Sequence, residues 1–302
     1  MKRNKVLEAI RARGLSIAAI GLSLACLGIS LAYRPAPQVV ALTARASAVE
    51  LGTTGQVVFE QSIPVKPGSI IVGSISAVSF NGTPTKVDAV QGLVDAAQTG
   101  PVDLTRLMVS PNAAVLLTTN SHGCLELGIR NGLAEVQLTG EAGDIALQIP
   151  ASKDGRSDIQ FCLGEPLELA IYGVSRIGFD RKYQPNPAQS YSMSSLNSAT
   201  VAFPGLSLER AIIPFGGLSA HRLGSSTPLV VKVSPSSAEI DVAYVGKVHS
   251  VTTGPSGNRR EELPRLLEHF IGRSPVATMI AGFGFFWGLI WGAIRFSKPA
   301  SQ

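Results

Sequence analysis

The sequence predicts a mainly β fold: an antiparallel sandwich or barrel-like exported domain, flanked by an N-terminal and a C-terminal transmembrane helix. Two long stretches near the termini contain no charged residue, which is typical of helices that cross a membrane. Between them, short apolar runs alternate with turn residues, which is typical of antiparallel strands. With 45% hydrophobic and only 16% charged residues, the chain is too apolar to be disordered.

Each charge-free stretch has the length that a transmembrane helix needs. Residues 15–33 and 275–294 contain no Asp, Glu, Lys, Arg or His, and each can cross about 30 Å of hydrocarbon as a helix. Trp287 and Trp291 lie near the far end of the second stretch, where interfacial aromatic anchors are common. We therefore predict two spans, the alternative being helices buried in a soluble core.

The first stretch has two further interpretations. It could be a cleaved signal peptide, with Ala46-Ser47-Ala48 as the processing site, or it could be lipidated at Cys26. The processing site lies well beyond the end of the apolar run, and apolar chain continues past Cys26. An uncleaved signal anchor is therefore the favoured prediction.

Basic residues are concentrated at the two ends of the chain. Of the net charge of +5, residues 1–14 contribute +4 and residues 295–302 contribute +2, which leaves −1 for the middle. Basic ends on a near-neutral body indicate membrane orientation and argue against nucleic-acid binding. The five basic residues before the first span place the N-terminus in the cytoplasm, and a second span returns the C-terminus to the same side.

The chain is therefore expected to divide at its membrane boundaries. The central domain is placed outside the cytoplasm, in the periplasm or the extracellular space. A juxtamembrane helix is expected before the second span because apolar and charged side chains fall on opposite helix faces there, the alternative being a helix packed against the exported domain itself. The predicted segments are a cytoplasmic basic tail (1–14), a span (15–33), an exported β-rich domain (34–262), an amphipathic helix (263–272), a span (275–294) and a cytoplasmic tail (295–302).

Small residues form a stripe on each predicted span. Such stripes favour close helix packing in lipid, within one subunit or between subunits. Ser16, Ser23 and Ser30 follow the opposite side of the first span. The candidate packing residues are Gly14, Ala18, Gly21, Ala25, Gly28 and Ala32 on the first span, and Gly284, Gly288 and Gly292 on the second.

The central domain shows nine runs that favour extended chain. Asn131-Gly132 and the turn at 141–144 are hairpin signals, so residues 124–149 are expected to form a three-stranded meander. Residues 87–97 and 206–212 could form short helices. Residues 184–198 are expected to be a loop, and a division into two smaller domains near 180–205 stays open. The strand runs are 57–59, 69–72, 114–117, 125–129, 134–138, 145–149, 167–172, 229–233 and 240–245.

Cys124 and Cys162 are the two cysteines of the exported domain. An even pair in an oxidising compartment predicts a disulfide, the alternative being two buried free thiols.

No catalytic, cofactor or metal residue is assigned from the sequence. The histidines lack metal-ligand spacing, and no nucleophile or phosphate-binding motif occurs in the exported domain. The one candidate cluster of acids, Asp154, Asp158 and Glu165 with Glu168 nearby, is more simply explained as a solvated loop than as a set of paired catalytic acids. For a glycan ligand, the best candidates are Tyr183 and Tyr191 with the neighbouring Arg181 and Lys182.

The leading functional hypothesis is a non-catalytic two-span membrane subunit whose exported β domain scaffolds or binds partners in a cell-envelope assembly. Its partners would be the lipid bilayer, other membrane subunits or further copies of itself, and a glycan. The arrangement of a span at each end resembles that of the polysaccharide co-polymerases, which implies a role in polysaccharide synthesis or export. The strand-rich body differs from the mostly helical exported domain of that family. The alternatives are a membrane-anchored hydrolase or transferase and an oligomeric channel.

Overall fold

The computed structural model divides into two compact units. Residues 36–204 and 209–262 form the first, here called the β unit, and residues 1–35, 205–208 and 263–302 form the second, here called the terminal unit. The structure describes residues 17, 21–73, 75–86, 94, 100–120, 122–141, 143–151, 159–186, 189–213, 217–235, 237–255, 258–273 and 275–297.

The described residues of the terminal unit form three helices. Helix α1 comprises residues 21–32, α2 comprises Leu266–Arg273 and α3 comprises Pro275–Ser297. The backbone N–H of Leu266 donates to the carbonyl of Tyr33 at 2.8 Å, so the chain that leaves α1 meets the start of α2. The Glu268 carboxylate accepts from the backbone N–H of Arg265, the residue before α2, at 2.7 Å. This hydrogen bond caps the N-terminus of α2.

Across the described residues, no helix combines the length and the apolar character that a membrane crossing requires. The spans at 15–33 and 275–294 accordingly stay predictions from the sequence. Large apolar side chains are nevertheless exposed on both outer helices. Those of α3 are between 52% and 72% exposed: Ile280, Phe283, Phe286, Trp287, Ile290 and Trp291.

The β unit is built from three large antiparallel sheets and one hairpin. Sheet A has six strands, in the order β13 (Leu167–Ile171), β20 (Leu229–Val233), β21 (Ile240–Val248), β1 (Gln38–Ala46), β17 (Leu196–Phe203) and β18 (Leu208–Ile212). Sheet C has six strands, in the order β3 (Val57–Val65), β7 (Val102–Val109), β10 (Leu133–Gly140), β11 (Gly143–Pro150), β5 (Ala77–Phe80) and β6 (Thr83–Thr85).

Sheet B is the largest sheet. Its nine strands are, in order, β23 (Arg260–Glu261), β22 (Ser250–Thr253), β19 (Leu218–His221), β14 (Val174–Gly178), β2 (Ala48–Thr53), β8 (Ala114–Thr119), β9 (Cys124–Asn131), β12 (Ile159–Cys162) and β4 (Ile71–Val72). A hairpin of β15 (Asp180–Asn186) and β16 (Gln189–Ser194) forms a separate two-stranded sheet.

The core lies between the sheets. Strand β1 alternates buried and accessible side chains, so sheet A buries one face. Strands β8 and β9 are buried on both faces. Leu107 of sheet C, Leu117 of sheet B and Leu169 of sheet A line the same small apolar cavity, so all three sheets contribute to one core. The predicted mainly β, sandwich-like antiparallel architecture is confirmed.

The predicted meander at 124–149 is only half correct. Strands β10 and β11 form a hairpin, but β9 belongs to sheet B and pairs with β8 and β12. Asn131-Gly132 therefore joins two sheets instead of closing a hairpin. A type I′ turn needs positive φ at both central residues, and of these two only Gly132 has it, at 86°.

A second Asn-Gly pair forms the turn that its sequence favours. Asn81 and Gly82 have φ of 49° and 77° and connect β5 to β6, with Phe80 paired to Thr83. The same dipeptide therefore closes a hairpin at one place and a crossover at the other, because the flanking strands pair with different neighbours.

Each of the nine predicted strand runs overlaps a strand, although Ser69, Ile70 and Tyr172 lie outside the strands that their runs predicted. Two other predictions for the β unit are wrong. Residues 184–198, expected to be a loop, contribute to β15, β16 and β17, and residues 206–212, expected to be a short helix, mostly form β18. Neighbouring strands override local preference in both segments. Of residues 87–97, all but residue 94 lie outside the described part of the chain.

Substitution of Gly132 by alanine tests the crossover between sheets B and C. A Cβ at this position would lie 2.6 Å from Ser110 Oγ and 2.8 Å from Ala113 Cβ, at a φ that L residues rarely adopt. We expect Gly132→Ala to lower the free energy of unfolding by about 2–4 kcal/mol in chemical denaturation. Gly55→Ala is the control, since no described atom lies within 4 Å of its Cβ position. Equal losses in the two variants would contradict the role given to Gly132.

Candidate functional site

The predicted disulfide is present. Cys124 on β9 and Cys162 on β12 are bonded and face each other in the register of sheet B. The backbone N–H of Cys124 also donates to Asn120 Oδ1 at 3.1 Å, which fixes the turn that leads into β9. The bond therefore joins two strands that are already hydrogen-bonded neighbours.

The glycan candidates lie on the hairpin of β15 and β16. Its register pairs Tyr183 with Tyr191, Arg181 with Met193 and Lys182 with Ser192. The backbone thus brings the two tyrosines together, although they are separated in the sequence. The side chains of these candidates lie outside the described part of the structure, so their use in ligand binding stays a prediction.

The small-residue stripes of the helices are uncovered where they are described. Gly21, Ala25, Gly28 and Ala32 are exposed on α1, and Cβ positions built on Gly21, Gly28, Gly284 and Gly288 have no described atom within 4 Å. The half-buried residues of α1 are instead Ser23 and Ser30. Gly14 and Ala18 lie outside the described residues, as does the side-chain environment at Gly292. Within the described chain, no other helix covers these small residues.

Of the four acids considered for a hydrolase, two lie outside the described residues and two are described. Asp154 and Asp158 belong to the segment 152–158, which the structure does not describe. Glu165 is exposed. The nearby Glu168 lies on β13, where its carboxylate is 2.8 Å from Lys232 Nζ, so it belongs to a salt bridge on sheet A.

Sheet B carries a polar cluster where β14 pairs with β2 and β19. Gly178 lies between Glu50 and Ser219 in the register. Arg259 Nη1 donates to the buried Ser219 Oγ at 2.6 Å, and its Nη2 donates to the carboxylate of Asp180. Ser219 is thus held by a guanidinium and the described contacts do not pair it with a general base.

Burial and neighbouring charges shift the pKa values of two groups in this cluster, Asp180 and His221. Burial raises the pKa of Asp180, while the positive charges of Arg259 and Arg176 oppose the shift. Burial also lowers the pKa of His221, and the same two arginines lower it further. The imidazole is therefore neutral at pH 7, and the cluster reads as a structural network that ties Asp180 and Arg259 to sheet B.

A second buried ion pair connects sheets A and B. Glu262 follows β23, and its carboxylate accepts from Thr253 Oγ1 at 2.6 Å and from Arg210 Nη1 of β18 at 3.0 Å. Burial alone would raise the pKa of Glu262, but these hydrogen bonds and the charge of Arg260 outweigh it and lower the pKa. The arginine head also lies over the Phe203 ring, 5.9 Å from its centroid.

The outer face of sheet A carries a row of four charges in register. Glu168 pairs with Lys232, Lys232 with Asp241, and Asp241 with Arg45. The row therefore runs minus, plus, minus, plus across β13, β20, β21 and β1. Its side chains are between 53% and 63% exposed.

Beside this charge row, the same face is weakly polar. The next row consists of small side chains, and beyond it Val245 lies opposite Ala41. An open groove of about 320 Å³ runs along β20, β21, β1 and β17, and another of about 310 Å³ lies beside it along β13 and β20. The residues of the next row are Ala170, Val230, Ala243, Thr43 and Thr200.

Comparison with known proteins gives no family for this chain. No protein-family model, no curated protein and no solved structure matches it. Within the described ranges, no group of three or more His, Cys, Asp or Glu side chains could hold a metal ion.

Sequence reasoning did not find the charge row. Alternation within each strand indicates that Arg45 and Lys232 point away from the core, but it does not say which strands are neighbours. The four charged residues come from strands far apart in the chain. Only the order of sheet A brings them into one line.

Removal of the disulfide should weaken the β unit. The bond closes a sequence separation of 38 residues, so replacing both cysteines by serine should lower the free energy of unfolding by about 2–4 kcal/mol. The measurement is denaturant unfolding of the full chain in detergent. Cys26→Ser is the control, because this exposed thiol is free. A loss equal to that of the control would contradict a stabilising bond.

The ion pair at Glu262 should give a defined pH dependence. A carboxylate whose pKa is lowered from 4.5 in the folded chain stabilises the fold above pH 4.5, and this contribution is lost as the pH falls through the folded-state pKa. Glu262→Gln should therefore lower the free energy of unfolding by about 1–3 kcal/mol at pH 7, with a smaller difference from wild type at pH 3. Exposed Glu168→Gln serves as the comparison variant. A difference for Glu262→Gln that is the same at both pH values would refute the assignment.

Proposed function

We propose that this chain is a non-catalytic membrane subunit that scaffolds partners in a cell-envelope assembly, such as one for polysaccharide synthesis or export. In this proposal residues 15–33 and 275–294 cross the membrane, both termini lie in the cytoplasm, and the β domain at 34–262 is exported. An amphipathic segment at 263–272 lies at the outer membrane surface. The polysaccharide role is suggested only by the arrangement of a span at each end of an exported body.

The exposed apolar side chains of α3 carry the membrane part of the proposal. Phe283, Phe286 and Trp287 are each more than half exposed, and their neighbours in the helix are uncharged. Contiguous apolar patches of this kind are rare on soluble monomers and mark contacts with lipid or protein. The charge-free runs and the basic ends of the sequence favour lipid over protein.

The disulfide supports an exported position for the β unit. Bonds such as that between Cys124 and Cys162 persist in oxidising compartments and are rare in the cytosol. The free Cys26 would lie within the first span, where lipid shields it from water.

Two kinds of surface support a scaffold. The uncovered small-residue stripes of α1 and α3 permit close approach of other membrane helices. The outer face of sheet A offers paired charges beside small side chains, a combination suited to contact with another folded protein. The assembly of partners is therefore the role that these surfaces support.

Cysteine labelling tests the topology. In a Cys26→Ser background we introduce single cysteines, as Asn4→Cys, Lys86→Cys and Ser301→Cys. With the cytoplasmic membrane intact, a membrane-impermeant maleimide should label the exposed position of Lys86→Cys alone, since only the β domain is exported. After permeabilisation, Asn4→Cys and Ser301→Cys should also react.

The Cys26→Ser parent is the matched control, because its two remaining cysteines are bonded and should take no label. Reaction of either terminal cysteine before permeabilisation would reject the topology. Recovery of a mature chain that lacks the first forty or so residues would reject the signal anchor.

A further inference from the structure

The charge row on sheet A has no evident purpose in the stability of the fold. Arg45 Nε lies 2.9 Å from Asp241 Oδ1, and Lys232 Nζ lies 2.8 Å from Glu168 Oε2. Both pairs are more than half exposed, and exposed ion pairs contribute little to folding. Four charges that alternate in sign along one line are better explained by something that docks on them.

We propose that the outer face of sheet A is the contact between two copies of this chain. The two copies would be related by a two-fold axis that lies in the interface, parallel to the strands and midway between β20 and β21. The proposal deepens the scaffold function and rests on it for its biological role. It names a second copy as the partner of this surface.

Charge complementarity selects this partner and this axis. Rotation about an axis parallel to the strands reverses the order of the row, so Glu168 meets Arg45 of the partner subunit and Lys232 meets Asp241 of the partner subunit. Every opposing pair then has opposite signs. A two-fold axis along the row would instead place each charge opposite its own copy, which is repulsive. Of these two axes, only the one parallel to the strands makes the charge row complementary to its own copy.

The small side chains beside the row permit the required approach. Two sheets that pack face to face lie about 10 Å apart, and alanine, valine and threonine leave room for that spacing. Val39 and Val245 are 49% and 59% exposed on the same face, and a second copy would cover them. The open groove along β20, β21, β1 and β17 gives the longer charged side chains of the facing copy space to enter.

Inversion of the whole row gives a sharp test. The variant Arg45→Glu, Glu168→Lys, Lys232→Glu, Asp241→Lys keeps both salt bridges within the chain and remains complementary to itself. It is not complementary to wild type, because like charges then oppose one another along the row. Wild type and the inverted variant should each form dimers, and the two should not mix.

The measurement uses full chains with two different affinity tags, co-expressed and purified in detergent. Sequential purification on both tags counts the mixed dimers. We expect mixed dimers of wild type and inverted variant to fall to about a tenth or less of the share found for two tagged wild-type chains. Mixing at the same share as wild type would overturn the proposal, as would a wild-type chain that is monomeric by light scattering.

A control variant separates the row from general surface charge. Lys66→Glu with Asp144→Lys inverts two exposed charges elsewhere on the β unit and should mix freely with wild type. Circular dichroism checks that the inverted variant folds. Should it misfold, Glu168→Lys with Asp241→Lys makes the row wholly positive, and this second variant should be monomeric. A dimer in that variant would also overturn the proposal.

The outcome is distinguishable from that of the topology test. If the labelling pattern fails and the two forms still sort themselves, the sheet contact stands and the membrane arrangement falls. If the forms mix while the labelling pattern holds, the membrane subunit stands and sheet A is not its self-contact.

Discussion

The need to cover sheet B on both faces governs the rest of the β unit. Strand β8 carries buried apolar side chains on both sides, Val115 and Leu117 on one and Leu116 on the other, so neither face of the sheet can be left to water there. The chain therefore leaves this sheet repeatedly to build others. It passes from β1 to β2 at Ser47, whose N–H donates to the carbonyl of Ser195 at 3.0 Å, and from β9 to β10 at Gly132. At each crossing the chain does not form a hairpin within one sheet and instead supplies a strand to another sheet that covers the core.

Two buried ion pairs connect separate elements of the β unit. Arg210 and Glu262 join a strand of sheet A to the chain after β23, and Arg259 joins Asp180 to Ser219. The Glu262 carboxylate accepts from Thr253 and Arg210, and the Asp180 carboxylate accepts from Arg259, so each buried charge is paired and hydrogen-bonded. Loss of one partner in such a pair is costly because the other stays buried and unpaired. The charged side chains of the row on sheet A are solvated, so the loss of one partner there costs less folding free energy.

Much of the local structure could be predicted, and the long-range structure could not. Runs such as 134–138 and 145–149 show the alternation and turn residues of strands, and Cys124 and Cys162 form an evident pair. The pairing of β9 was missed because Asn131-Gly132 carries the same local signal as Asn81-Gly82. Register and neighbour choice depend on contacts across the whole domain. For the same reason, the line from Glu168 to Arg45 could not be read from the sequence.

The position of the disulfide has a consequence for the resistance of this protein to proteases. Strand β12 lies near one border of sheet B, with only the two-residue β4 beyond it. Border strands open more readily than central ones, and an opened border is where a protease gains its first cut. Because Cys162 is bonded to Cys124 on the adjoining β9, this border cannot peel away even when its hydrogen bonds break. Resistance to digestion would then be set by other parts of the chain, chiefly its surface turns.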